Sequence, residues 1–342
     1  MHNALMQAPD SDLQRLLEPL RDTPAMRSKQ AIQHPARVLN GATELSLEQR
    51  YALPGDDTAA ISCGDFYQLL AIEGMLPAFV DSAPWFAGWS AVMANVSDIA
   101  AMGGRASAVV NAYWHSDPQV AAEVLAGIQA ACSVYGLILA GGHTSQSAQS
   151  STALAVAITG IARRLLSTLH VRPGQLLAMA VDLNGRWHAD APYWKAFEDK
   201  SPEQLRSQLE VLPRLAEAGL VQAAKDISNA GLLGTLLMLL EPMGCGATVD
   251  LYQLPCPVDG DLSRWLQAFP SFGFLLTLDE AHWPSVKAAF AFEGLTCAAI
   301  GHIDNSGRLD VHLADEQVEF WDLNKTPFTG FSHVLPPLKQ EH

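Results

Sequence analysis

Apolar residues recur along this chain at two alternating periods. YQLLAIEGM (67–75) has strand length and predicts a strand that is mostly buried. PWFAGWSAVMANVSDIAAMGG (84–104) is long and apolar throughout, which predicts a buried helix. Pro84 suits its first turn, and Gly103-Gly104 stops it. RASAVVNAYW (105–114) predicts the next strand. DPQVAAEVLAGIQAACSVYG (117–136) predicts a helix opened by Asp-Pro and closed by Gly136. LILAGG then predicts a buried strand with a Gly-rich turn after it, and STALAVAITGIA (151–162) a further strand.

Both ends of the chain follow the same rules. SDLQRLLEPL (11–20) carries a Ser/Asp cap signal and leucines at helical spacing, and PGDDTAA (54–60) reads as a loop or strand entry. A boundary is expected near 163–173. Beyond it, QLLAMAVDL, ATVDL, FGFLLTL, CAAIGHI and RLDVHL predict strands. Helices are expected around 191–218, at AGLLGTLLMLLEPMG (230–244) and at EAHWPSVKAAFAFEG (280–294), with an irregular tail after about residue 320. The fold class is α/β (α+β), in two domains, 1–163 and 164–342.

Composition narrows the function classes. Apolar residues make up 49% and charged residues 17%, enough for large cores and unlike a disordered chain. No apolar run is long enough to cross a bilayer, and the N-terminus lacks the pattern of a secretory signal, so the expected location is the cytoplasm. The formal charge is -15 with no Lys/Arg cluster, which argues against nucleic acid as a partner. An acidic chain can still hold an anionic nucleotide when divalent cations lie between them. The 5 cysteines are scattered without a CxxC pair and are expected to be reduced packing residues.

Candidate chemistry lies in a few polar positions. Asp56 and Asp57 follow Pro-Gly and alone could be turn formers. Asn95 and Asp98 share one face of the apolar helix, where a carboxylate needs a partner. Asp226-Ile-Ser228-Asn229 precedes an apolar helix, where Ser and Asn often cap. Gly141-Gly142-His143-Thr144 follows a strand, and such a turn can bring backbone N–H groups to phosphate, although no GK[ST] follows.

Taken together and in order, GDDTAA, NVSDIAAMGG, GGHTS and DISNAGLLGTL resemble the PurM-like superfamily of AIR synthase, selenophosphate synthetase, thiamine-monophosphate kinase and the hydrogenase-maturation dehydratase. The resemblance spans about residues 50–305, and the whole pattern looks closest to the AIR-synthase-related proteins. It implies ATP and Mg2+ as cofactors and a homodimer in which the N-terminal sheets join into a barrel. It implies metal-binding roles for Asp57, Asp98 and Asp226, with Asp56 as the adjacent acid and Glu73 where relatives place an Asp. Asn95, Gly141, Gly142, His143, Thr144 and Ser228 match nucleotide-contacting positions, and Lys29 the place of a catalytic lysine. Two carboxylates about 4 Å apart repel by roughly 4 kcal/mol at an effective dielectric near 20, so a convergent acid set calls for a cation.

The departures bear on the substrate. No cysteine precedes Cys63, which argues against selenide, and Asn229 and Ala230 change the thiamine-monophosphate kinase ending. DSAPWFAGWS (81–90) and DLNGRWHADAPYW (182–194) have no clear counterpart and combine aromatics with Asp, His or Arg. They suit either an acceptor pocket or aromatic packing at a domain or dimer surface. The expected function is ATP-dependent phosphorylation or activation of an oxygen on a small molecule. Alternatives are a thiamine-monophosphate kinase-like activity, a non-catalytic ATP-binding regulator and a structural remnant.

Overall fold

The computed structural model describes residues 11–41, 54–146, 151–258, 261–270 and 272–332. Its elements run α1 (Asp12–Leu17), α2 (Pro24–Gln30), α3 (Gln33–Gly41), β1 (Ala59–Ser62), β2 (Tyr67–Met75), α4 (Pro77–Ser82), α5 (Pro84–Ala101), β3 (Gly104–His115), α6 (Pro118–Tyr135), β4 (Ile138–Gln146) and β5 (Ala153–Ala162). The second half adds β6 (Leu176–Val181), β7 (Arg186–Trp187), β8 (Tyr193–Lys195), α7 (Pro202–Leu209), α8 (Val211–Glu217), β9 (Ala223–Asp226) and α9 (Gly231–Leu240). It ends with β10 (Gly246–Asp250), α10 (Leu262–Leu266), β11 (Phe269–Pro270), β12 (Gly273–Leu278), α11 (Trp283–Phe292), β13 (Thr296–Asp304), β14 (Arg308–Leu313) and β15 (Glu316–Asp322).

The strands form a five-stranded sheet in the order β1-β2-β5-β3-β4, a seven-stranded sheet β15-β14-β10-β13-β6-β12-β9, and a small sheet β11-β8-β7. Both large sheets are mixed: β3 pairs parallel with β4 and β10 with β14, and their other pairs are antiparallel.

Local signals set the helices that position the site. Asp117 caps α6 by accepting from the Gln119 N–H, and Gly136 ends it in the left-handed region at φ 71°. α5 is buried continuously from Ala87 to Ala101 because it packs against the five-stranded sheet, α6 and the second half of the chain. Its approach to α6 depends on paired glycines. A Cβ on Gly88 would stand 2.1 Å from the Val124 carbonyl oxygen, and one on Gly127 would stand 2.0 Å from that of Trp85. Any side chain at either position would push α5 away from α6.

The N-terminal helices pack against the second half of the chain. Leu13, Leu17, Leu20 and Met26 share a core with Leu309, Val318 and Phe320 of the seven-stranded sheet. Arg21 also donates to the Phe320 carbonyl at 2.9 Å. The two halves are joined on the surface by Arg105, which reaches both Glu210 and Glu217.

Four sequence expectations change. β2 is buried on one face only, with Leu70 and Ile72 exposed. β4 is exposed rather than buried, and it runs straight through Gly141–Thr144 instead of turning there, because β3 continues beside it as far as His115. The stretch 191–218 begins with β8 before its helices. The tail contains β15, which pairs with β14 through residue 322.

Candidate functional site

Asp57 lies just before β1, Asp98 one turn from the end of α5, and Asp226 at the end of β9. One carboxylate oxygen from each lies within 4.8 Å of those of the other two. β9 reaches this point through its pairing with β12, Asp226 opposite Phe274. The Asp57 carboxylate is held from two sides: one oxygen accepts from the Asp226 backbone N–H at 3.1 Å, the other from the Lys225 ammonium. Lys225 also donates to the Gly55 carbonyl at 3.2 Å. Sequence reasoning missed Lys225. Its signal was a single lysine set among apolar residues beside a candidate metal aspartate in VQAAKDIS.

Burial dominates the electrostatics. It raises Asp98 well above the carboxylate range, and the neighbouring charges of Asp226, Glu73 and Asp57 push the same way. Asp226 is raised to about 8 by burial and by Asp57, with Lys225 opposing. Glu73 is raised by burial and relieved in part by Lys29. For Lys225, burial works against the charge, but Asp57 outweighs it and the ammonium titrates above its ordinary value. The group is therefore short of positive charge. A compact, all-oxygen donor set of this kind fits a hard divalent cation such as Mg2+.

The other candidates fall into three places. Lys29, Glu73, Asp226 and Ser228 line one cavity of about 130 Å³ between the two halves of the chain. The Ser228 hydroxyl is buried without a hydrogen-bond partner. Neither Ser228 nor Asn229 caps α9, since Ala230 occupies that position with no side-chain bond. Asp56 and Asn95 are engaged elsewhere. Asp56 accepts from the Thr168 N–H at 2.9 Å and from the Ser167 and Thr168 hydroxyls, tying its loop to the junction between the halves. Asn95 donates to the Ala91 and Val156 carbonyls at 2.7 and 2.9 Å, tying α5 to β5. Gly141, Gly142, His143 and Thr144 lie along exposed β4 and are not among the residues lining the cavity. Gly142 has a packing role there, because a Cβ would stand 2.3 Å from the Asn111 carbonyl oxygen.

The aromatic segments without counterparts meet at the same cavity. Phe86, from the first, stands 4.9 Å from His188, from the second, and Phe79 stands 5.4 Å from Phe86 and 5.5 Å from Tyr193. Phe79, Phe86, Tyr193, Phe197 and Phe269 line the cavity, and Lys195 lies over the Phe86 ring at 5.7 Å. Phe79, Phe197 and Phe269 were not singled out in the sequence. They lie far apart along it, and no spacing joins them.

Residues 55–162 match the AIR synthase related protein N-terminal domain, and residues 178–314 match the C-terminal domain of the same family. An uncharacterized protein of Synechocystis sp. is 41% identical over 93% of this chain and 98% of its own length. A thiamine-monophosphate kinase of Methanospirillum hungatei is 30% identical over 54% of this chain and 63% of its own. A selenide, water dikinase of Colwellia psychrerythraea is 28% identical over 58% and 60%. Among solved structures, T. maritima PurL complexed with ADP superposes with a TM-score of 0.70 at 17% identity, over 89% of this chain and 52% of that one. AaThiL complexed with AMPPCP and TMP gives 0.58 at 17%, over 78% and 89%. These structures share the fold. The two family matches cover most of the chain, which therefore belongs to the AIR synthase related protein family, with both its N-terminal and its C-terminal domain.

Proposed function

We propose that this protein is a Mg-ATP-dependent enzyme that phosphorylates or activates an oxygen of a small-molecule acceptor. One observation carries the reading: three carboxylates from separate elements bring their oxygens together, and one of them, Asp226, also lines the cavity between the halves. Such an arrangement costs repulsion and burial unless it serves a cation. The relatives named as kinases and the solved neighbours bound to ADP or AMPPCP support nucleotide chemistry.

Asp57, Asp98 and Asp226 would hold the metal, with Glu73 as a further acid near them. Mg2+ would supply charge neutralisation for the ATP phosphates. Lys225 fixes Asp57, and the Asp226 N–H sets the angle of the same carboxylate. Lys29 faces the cavity from α2 and offers a second positive charge to phosphate. Asn95 supports α5 from behind. The resemblance assigns nucleotide contacts to Gly141, Gly142, His143, Thr144 and Ser228. The enzyme would act in the cytoplasm as a homodimer covering the open face of the five-stranded sheet. A thiamine-monophosphate kinase-like activity is the second reading, favoured by the 30% identical relative. His143 and Asn229 stand against it, at positions where that kinase pattern has acids.

Calorimetric titration of ATP, with magnesium and then with EDTA, tests the proposal. Binding that requires magnesium is expected. Absence of heat and of thermal stabilisation in both conditions would overturn it, and binding without any turnover would leave only a regulatory role.

A further inference from the structure

We infer that the cavity is the acceptor subsite and that it takes a small, neutral aromatic alcohol, a single ring carrying a hydroxymethyl group. The inference rests on the proposed phosphotransfer. Size comes first: at about 130 Å³ the space is close to the ~150 Å³ of an apolar cavity that takes up benzene. A single ring is of the size that this space takes.

The walls select for an aromatic ring. Phe79 meets Phe86 edge to face at 88°, and Tyr193 tilts against Phe79 at 47°. Rings in such orientations present edges and faces that another ring can match. Polar groups line the cavity beside the rings, Ser90, Asn229 and Lys195 among them. Asp226, Glu73 and Lys29 line it too, with Ser228, whose hydroxyl is buried and has no partner. A buried hydroxyl without a partner is costly, and an alcohol on the ligand would satisfy it, in place of the nucleotide contact that the resemblance implies for Ser228. Asp226 and Glu73 disfavour a carboxylate ligand. Lys195 adds little positive charge to the wall because Glu198 pairs with it at 2.5 Å.

In the reaction, the alcohol oxygen forms a bond to the γ-phosphorus of ATP. The bond from that phosphorus to the bridging oxygen breaks, its electron pair leaves with ADP, and the alcohol proton passes to water.

Benzyl alcohol and cyclohexylmethanol, equal in heavy atoms, serve as probes. Their dissociation constants are measured by ligand-observed NMR titration on the full chain, with and without saturating Mg-AMPPCP. Benzyl alcohol should bind about three-fold or more tighter than cyclohexylmethanol, and should remain bound with the nucleotide analogue present. Tyr193→Ala should weaken it about three-fold or more, and Ser90→Phe, which fills the cavity from α5, should abolish binding. Equal affinity for the two probes, displacement by Mg-AMPPCP, or indifference to both variants would overturn the inference. Displacement would assign the cavity to adenine. Calorimetry on the same sample separates the two levels. If Mg-ATP binds and benzyl alcohol does not, the acceptor inference falls alone; if Mg-ATP does not bind, both fall.

Discussion

The Lys225 ammonium is enclosed against the Asp57 carboxylate, each side chain being only 5% exposed. An internal lysine thus brings a positive charge into direct contact with this acid group. Removing one member of a buried pair typically costs about 3–5 kcal/mol, because the other charge is left uncompensated. Lys225→Met should therefore destabilise the metal-free protein by about 3 kcal/mol at pH 8. The loss should shrink at pH 5, where Asp57, already raised by burial, can take up a proton. Urea unfolding in EDTA at the two pH values measures this. Equal stability of variant and parent at pH 8 would mean that the pair contributes nothing.

Asp98→Asn separates metal binding from folding. Burial pushes the Asp98 carboxyl towards its protonated form when no cation is bound, and an amide of the same shape replaces that form at little cost. The unfolding free energy of the variant should stay within about 1 kcal/mol of the parent's, the central size of a point substitution. Magnesium-dependent ATP binding should disappear in calorimetry. Retained nucleotide affinity would remove Asp98 from the metal set.

Helix ends were legible in the sequence because their signals are local: Pro84 and Asp117 start α5 and α6, and Gly136 closes α6 in the left-handed region. Burial was less legible. An apolar strand with one open face, such as β2, has nearly the composition of one buried on both faces, and the exposed β4 carries Ile138 and Leu139 like a core strand. β15 was missed because Glu and Gln alternate with apolar residues in EQVEFWD, and that pattern marks the exposed face of an edge strand. The three converging aspartates were picked out by block resemblance, since no spacing rule links a loop, a helix and a strand end. Lys225 and the ring cluster around Phe86 depend on side chains meeting across distant segments, which no period records.

The acid group also predicts a pH dependence. Asp226 titrates near 8 in the folded protein, against an ordinary value of 3.8. Between those values the folded state holds a proton that the unfolded chain releases. Its contribution to stability is therefore complete below about pH 4 and is lost as pH rises to about 8. In EDTA, thermal midpoints should fall across this window more steeply for the parent than for Asp226→Asn. Added magnesium should stabilise the parent more at pH 8 than at pH 6, because fewer protons must be displaced. Parallel pH profiles for parent and variant would contradict the assignment.

The exposed face of the five-stranded sheet predicts the assembly. Along one cross-strand row, Ile72 pairs with Ala157, Ala157 with Val110, and Val110 with Gly141. The adjacent row runs from Leu70 through Thr159 and Ala108 to Ile138. Ile72, Leu70 and Ile138 are 68%, 50% and 66% exposed, and the opposite face of β2, β3 and β5 packs on α5. Contiguous apolar surface of this kind marks an interaction site. A second copy of the same sheet would bury it, so the chain should run as a dimer in size-exclusion chromatography with light scattering. Ile72→Asp should yield a monomer, since a carboxylate cannot be desolvated against an apolar face. Its fold should persist, because Ile72 contributes nothing to the core beneath. A parent that is already monomeric would leave the open face without the partner proposed for it, and the residues of β4 without the cover that would bring them to a nucleotide.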